Sequence, residues 1–176
     1  RQSAPPISAI SRQSESSSGQ IPPPPFESFG WDLQKVSLAI IRSESAFIAD
    51  ARSGAGALGL MQILPRTGRE TAKRLGMRFE SAKILYQPRK NIAIGTAYFK
   101  QMLDRYNGNF AMAAAAYNAG PHRVRQWRHD TYTTAERWID MIPFPETRRY
   151  VRRALFYTAV YEWRLEKERT KLQTIM

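Results

Sequence analysis

From Asp32 onward, every strongly patterned stretch of this chain repeats its apolar residues at three- and four-residue steps, and none sustains a strict apolar/polar alternation. The first period is that of a helix buried along one stripe, the second that of a half-buried strand. A mainly α fold is therefore expected, with at most a minor β element. Asp32 is placed to cap a helix carrying Leu33, Val36, Leu38, Ala39, Ile40 and Ile41. Pro65 suits the first turn of a second helix, over residues 65–75, and Gly76 its stop. Residues 91–106 repeat Ile92, Gly95, Phe99, Met102 and Tyr106 on one face, and Gly108 follows. A fourth helix is expected over 110–117 and a short fifth after Pro121. A last, long one is expected from about 147 toward 167, with Tyr150, Ala154, Tyr157 and Tyr161 aligned.

Residues 1–25 are different. They are rich in Ser, Pro and Gln and contain Ser16-Ser17-Ser18-Gly19 and the run Pro22-Pro23-Pro24-Pro25. Too little apolar surface is present to offset the entropy of ordering, and the proline run favours an extended polyproline conformation. This segment is expected to be a lead-in or linker, residues 26–168 the folded domain and 169–176 a C-terminal tail. A chain of 176 residues suits one domain of ordinary size. It begins with Arg1 rather than Met and shows no export signal, so it is expected to be a processed product or a piece of a longer protein.

Composition narrows the function classes. With no cysteine and only His122 and His129, thiolate and His-rich metal sites are excluded, and no metal or cofactor is expected. No apolar run approaches the ~20 residues a membrane span needs; the longest, around 111–117 and 154–161, soon meet Asn118 and Glu162. The 27 Lys and Arg against 15 Asp and Glu give a net charge of +12, which attracts polyanions: nucleic acid, anionic membrane or an acidic bacterial wall. No motif that reads DNA bases is present, and nucleic acid is not the expected partner.

Glu44 is the first residue with a chemical reading. Val36, Ile40, Glu44 and Phe47 are spaced four, four and three apart, which puts them on one helix face. A carboxyl on an apolar face loses hydration and holds its proton more tightly, as a general acid near neutral pH requires. A buried glutamate paired with Arg42 or Arg52 accounts for the same pattern. Next, Ser53-Gly54-Ala55-Gly56-Ala57-Leu58-Gly59 is nearly free of side chains and lets backbone approach a ligand. It leads to Gln62, a polar residue among apolar neighbours that needs a specific partner. Sugar hydroxyls and N-acetyl groups would serve; so would a core contact. Tyr117, Asn118 and Gly120 form a helix–helix corner before Pro121.

Ile41-Arg42-Ser43-Glu44-Ser45-Ala46-Phe47, Gly59-Leu60-Met61-Gln62 and Ala116-Tyr117-Asn118-Ala119-Gly120 follow one another in that order, and Ile142-Pro143-Phe144-Pro145-Glu146-Thr147-Arg148-Arg149-Tyr150-Val151 follows them. Together they resemble the signature motifs of the soluble lytic transglycosylase (SLT) domain, similar in fold to goose-type lysozyme, over about residues 32–164. The resemblance implies a helical domain with a substrate cleft, in which Glu44 matches the catalytic glutamate. Ser53 and Gln62 match residues that contact the glycan, and Gly59 and Leu60 offer backbone there. Tyr117 matches the tyrosine beside the acid, Asn118 supports the corner, and Glu146 matches an acidic position of the cleft wall associated with the peptide stem.

It also implies a reaction and a setting. The reaction is cleavage of the β-1,4 bond between N-acetylmuramic acid and N-acetylglucosamine without water, leaving a 1,6-anhydro end. The setting is the periplasm, within a longer chain with an upstream helical region. A lysozyme-like muramidase and a non-catalytic peptidoglycan-binding module are the alternatives. Asp50, the nearest other acid along the chain, is expected in a solvated turn with no role. Trp127, Trp138 and Trp163 are candidates for sugar stacking, with Trp163 expected in the core.

Overall fold

The computed structural model describes residues 31–127 and 134–175, the last nine by their backbone alone. The 1–25 lead-in, the start of the domain before Trp31, His129 and Met176 lie outside the described residues. Seven α-helices are present among them: α1 (Leu33–Glu44), α2 (Pro65–Arg74), α3 (Pro88–Arg105), α4 (Phe110–Ala119), α5 (Pro121–Gln126), α6 (Ala135–Asp140) and α7 (Pro145–Ile175). A 3-10 turn, Ala82–Tyr86, precedes α3. The only β pairing among these residues is two isolated bridges, Arg52 with Leu58 and Leu58 with Ile63.

The helix ends have local causes. Asp32 accepts from the Gln34 and Lys35 amides and starts α1. Asn109 accepts from Met112 N at 3.0 Å and starts α4. Pro65, Pro88 and Pro121 occupy first turns, where a missing N–H costs nothing. Helix α3 begins three residues before the expected 91 because its first turn, Pro88-Arg89-Lys90, carries no apolar period. Helix α7 continues past 167 to Ile175, through most of the stretch expected as a tail. The 3-10 turn and α6 are too short to show a period and were not foreseen.

Helix α4 is the centre of the fold, and its sequence says why. Phe110-Ala111-Met112-Ala113-Ala114-Ala115-Ala116 is apolar all round rather than on one stripe, so no face prefers water. Ala113 to Ala116 are fully buried. Such small side chains let other helices approach closely from two sides: α3 packs on one and α7 on another, while α7 also packs along α1. Phe99, Met102, Ile94, Met61, Leu85, Ile40 and Val151 fill the space between. Trp127 and Trp138 belong to this core, and the Trp138 indole donates to the Trp127 carbonyl at 3.2 Å. Trp163 does not: it is 59% exposed, because it lies nine residues after buried Ala154 and so on the opposite side of α7.

Candidate active site

Helix α1 stops at Glu44, and the chain then turns sharply: Ala46 and Phe47 both adopt left-handed φ, at 51° and 70°. Phe47 is therefore off the helix face it was expected to share with Glu44, and is 44% exposed. Two side-chain bonds hold the turn: Ser45 Oγ donates to the Ile41 carbonyl at 3.3 Å and to the Leu60 carbonyl at 2.8 Å. The second ties the end of α1 to the small-residue loop.

That loop is shaped from within. Ser53 Oγ accepts from Ala57 N at 3.0 Å. Gln62, at φ 48°, turns its amide back, and Nε2 donates to Ala51 O at 3.1 Å and Gly59 O at 2.8 Å. Both partners are carbonyls, so the amide nitrogen must face them. Beneath the loop, fully buried Asn91 accepts from Met61 N at 2.8 Å and donates to Leu58 O at 2.9 Å and Leu85 O at 2.7 Å. Gly59 sits on this group at φ 75°, and a Cβ there would overlap the Leu85 carbonyl and the Asn91 amide. The glycine is thus required by packing.

The result is a cleft of about 550 Å³, in the range of small-molecule and glycan sites. Glu44, Ser53, Gln62, Tyr117, Asn118 and Glu146 all line it, with Tyr98, Thr67 and Arg123. Six of the eight residues singled out from sequence are therefore brought together. Gly59 and Leu60 are not: both are buried behind the wall, with carbonyls bonded to Gln62 and Ser45. Asp50 is exposed beyond the turn.

Glu44 is held at the cleft by contacts that do not neutralise it. Arg42 lies over the Tyr157 ring at 5.8 Å and Arg52 makes no ion pair with it among the described residues, so neither of the two arginines nearest in sequence pairs with it. Burial raises the Glu44 pKa from 4.5 to about 7; Tyr150 and Arg153 oppose the shift and Glu146 adds to it. The Tyr150 hydroxyl is buried beside this carboxyl, yet makes no hydrogen bond of normal geometry. Tyr117 donates to Met61 O at 2.8 Å, and its ring packs on Tyr98 and Phe99 at 5.4 and 5.7 Å. Burial raises both phenols well above 10, and the Glu44 charge reinforces this. Both remain O–H groups at neutral pH. Asn118 Oδ1 accepts from buried Thr147 Oγ1 at 2.8 Å, joining α4 to the first turn of α7.

Tyr150 is the neighbour of Glu44 that sequence reading missed. It was assigned to the apolar face of the last helix. The available signal was its place in the fourth motif, four residues after Glu146. Ser45, Asn91 and Thr147 carried no local signal, since each bonds across a long sequence separation.

The chain is similar in sequence and fold to known proteins. The soluble lytic murein transglycosylase of Escherichia coli K12 is 40% identical over 133 residues, which are 74% of this chain and 21% of that protein. A membrane-bound lytic murein transglycosylase C of Histophilus somni is 35% identical over 123 residues, covering 64% of this chain and 33% of the relative. The X-ray structure of an inactive mutant of the lytic transglycosylase Slt of Pseudomonas aeruginosa superposes with a TM-score of 0.72 at 47% identity, over 75% of this chain and 22% of that one. The chain thus spans about a fifth of the length of its soluble relatives. With residues 32–139 matching the family's sequence profile, the chain belongs to the transglycosylase SLT domain family.

Proposed function

We propose that the domain is a peptidoglycan lytic transglycosylase. It cleaves the MurNAc-β-1,4-GlcNAc bond without water and leaves 1,6-anhydromuramic ends. The observation that carries this reading is a single carboxyl, Glu44, with a pKa of about 7 in an open cleft. At that value the group exists in both protonation states at neutral pH, as one residue acting first as acid and then as base requires. Protonated Glu44 gives its proton to the glycosidic oxygen as the C1–O bond breaks. The muramic 2-acetamido group stabilises the cationic C1, as in substrate-assisted glycosidases. Glu44, now a carboxylate, takes the proton of the muramic C6 hydroxyl, whose oxygen closes on C1. One proton leaves Glu44 and one returns, so the enzyme is restored without water.

Tyr117 and Asn118 hold the corner opposite Glu44, while Ser53 and Gln62 present polar atoms along the loop wall. The cleft also carries Glu146 and Arg123; the Arg123 guanidinium rests 5.0 Å above the Phe144 ring. Among the described residues Arg123 is the one cation of the lining, and it suits an anionic peptide stem. The net charge of +12 suits a wall rich in carboxylates. None of the described helices is long and apolar enough to cross a membrane. We place the domain in the bacterial periplasm, as the catalytic part of a longer, wall-cleaving chain whose further region is helical; the small share of the relatives that it covers supports a longer chain.

A lysozyme-like hydrolase is the second reading, favoured by one observation: Glu146 lines the same cleft as Glu44, and ordinary glycosidases use two carboxyls. Digesting purified sacculi with the wild type and Glu44→Gln, then weighing the released muropeptides, separates the two. Anhydro ends from the wild type alone are expected, with a rate that falls about tenfold per pH unit above pH ~7 as Glu44 loses its proton. Reducing ends, one water heavier, would make it a hydrolase; no release from folded wild type would make it a binding module.

A further inference from the structure

Glu44 has one charged neighbour that does not line the cleft. Arg153 lies on α7, one turn beyond Tyr150, with its side chain exposed on the outer side of the α1–α7 contact. Its Nη2 donates to the Ser43 carbonyl at 3.0 Å, and its guanidinium lies 5.9 Å over the Tyr150 ring. Ser43 O is one of the last four carbonyls of α1, which helix bonding leaves without partners. The negative end of the α1 dipole also points there, and a cation at that end is favourable.

We propose that Arg153 is a positioning residue for Glu44: it ties the last turn of α1 to the Tyr150 face of α7 and fixes a positive charge behind the carboxyl, outside the cleft. The other groups that face Glu44 do not supply that charge. From α7 come Tyr150, a neutral phenol, and Glu146, an acid that opposes Arg153. From α4 comes Tyr117, also a neutral phenol, with Tyr98 of α3 packed behind it. The neighbouring cations are engaged elsewhere: Arg42 on the Tyr157 ring, Arg148 on the Ile142 carbonyl and Arg152 on Asp140. Burial and Glu146 both push the Glu44 proton affinity up, and Arg153 is the fixed charge that holds it down. A carboxyl that bound its proton more tightly would be the poorer acid towards the glycosidic oxygen.

The effect on proton affinity is independent of the assigned reaction; only its consequence for rate rests on that reading. The test is therefore a titration. Glu44 is followed by 13C NMR of the glutamate side-chain carboxyls, its signal assigned by its loss in Glu44→Gln. Arg153→Gln keeps a donor for Ser43 O and removes the charge, whereas Arg153→Lys keeps the charge and removes the planar fork. The Glu44 midpoint is expected to rise by about half a unit in Arg153→Gln, an exposed charge acting at the low end of the usual range, and to stay near the wild-type value in Arg153→Lys. The basic limb of the cleavage rate should move with it. An unmoved midpoint in a folded Arg153→Gln, even with a lower melting temperature, would reduce Arg153 to a strut and overturn the proposal, as would equal shifts in both variants. If the wild type cleaves no glycan, the assigned reaction fails, while the titration still decides this point.

Discussion

Replacing Glu44 by glutamine should stabilise the protein at alkaline pH. The Glu44 pKa is raised from 4.5 to about 7 on folding, a difference of about 2.5 units. At 1.36 kcal/mol per unit this caps the cost of holding the ionised group at about 3.4 kcal/mol. Part of the carboxyl stays open to the cleft, so about 2–3 kcal/mol is the working figure. The sign follows from proton binding. Between pH 4.5 and 7 the folded state binds more protons than the unfolded one, so stability falls as pH rises through that window and is level above it. Below 4.5 both states are protonated and the cost vanishes.

Glu44→Gln cannot ionise and escapes the cost. In reversible urea unfolding its advantage over wild type should therefore grow by about 2–3 kcal/mol between pH 4.5 and pH 8, or ~5–10 °C in melting temperature. All other titrating groups are common to both proteins and cancel in the difference. The same variant should lose the proposed wall-cleaving activity, the usual opposition of stability and function at an active site. A difference that stays flat across pH, or shrinks as pH rises, would refute the claim that burial dominates at Glu44.

Three further substitutions probe the surrounding structure. Tyr150→Phe removes a buried hydroxyl with no normal hydrogen bond; stability should change by less than ~1 kcal/mol, while the Glu44 midpoint in the NMR titration rises, since Tyr150 holds it down. A midpoint that does not move would show that the phenol does not interact with the carboxylate. Asn91→Ala leaves Met61 N, Leu58 O and Leu85 O without partners and should cost ~3–5 kcal/mol in urea unfolding; less than ~1 kcal/mol would mean that water replaces the amide. Gly95→Ala drives a methyl into the Met61 side chain and should cost ~1–3 kcal/mol. It should also slow cleavage, because Met61 carries the carbonyl that holds Tyr117; unchanged stability and rate would show that this packing has slack.

The fold was legible where side chains recur along one face or where a cap stands at the helix start. Asp32, Pro65, Pro121 and the unbroken apolar run of α4 act within a few residues, so local sequence contains their cause. The first turn of α3 and the last turns of α7 are polar, and polar residues on a helix carry no period to read. Trp163 was misplaced although its spacing could have shown it. It stands nine residues after buried Ala154, half a turn out of phase at 100° per residue, and so on the side of α7 opposite the face of Tyr150 and Ala154. Phe47 failed differently: its spacing from Glu44 is helical, but the backbone leaves the helix one residue after that glutamate.

At the site, the acid and five of its cleft-lining companions could be named from motifs, whereas the groups that fix their positions could not. Each of those fixing contacts joins distant segments: Ser45 to Leu60, Asn91 to Met61, Tyr117 to Met61, Thr147 to Asn118. Two of them meet on Met61, whose N–H is held by Asn91 and whose carbonyl by Tyr117. The loop wall is thereby fastened to α3 on one side and α4 on the other, and through Ser45 to α1. A run of small residues such as 53–59 has little packing of its own with which to hold a shape. Its turn is closed by its own Ser53–Ala57 bonds, and the segment that follows, 58–61, is fastened by buried hydrogen bonds from three helices, each bond worth more than its surface equivalent because the groups have no water to turn to. The flexibility suggested by the loop's composition is therefore a property of the isolated sequence. In the folded protein the same small residues let a wall built from backbone stand close to the Glu44 carboxyl without a side chain in the way of the proposed glycan substrate.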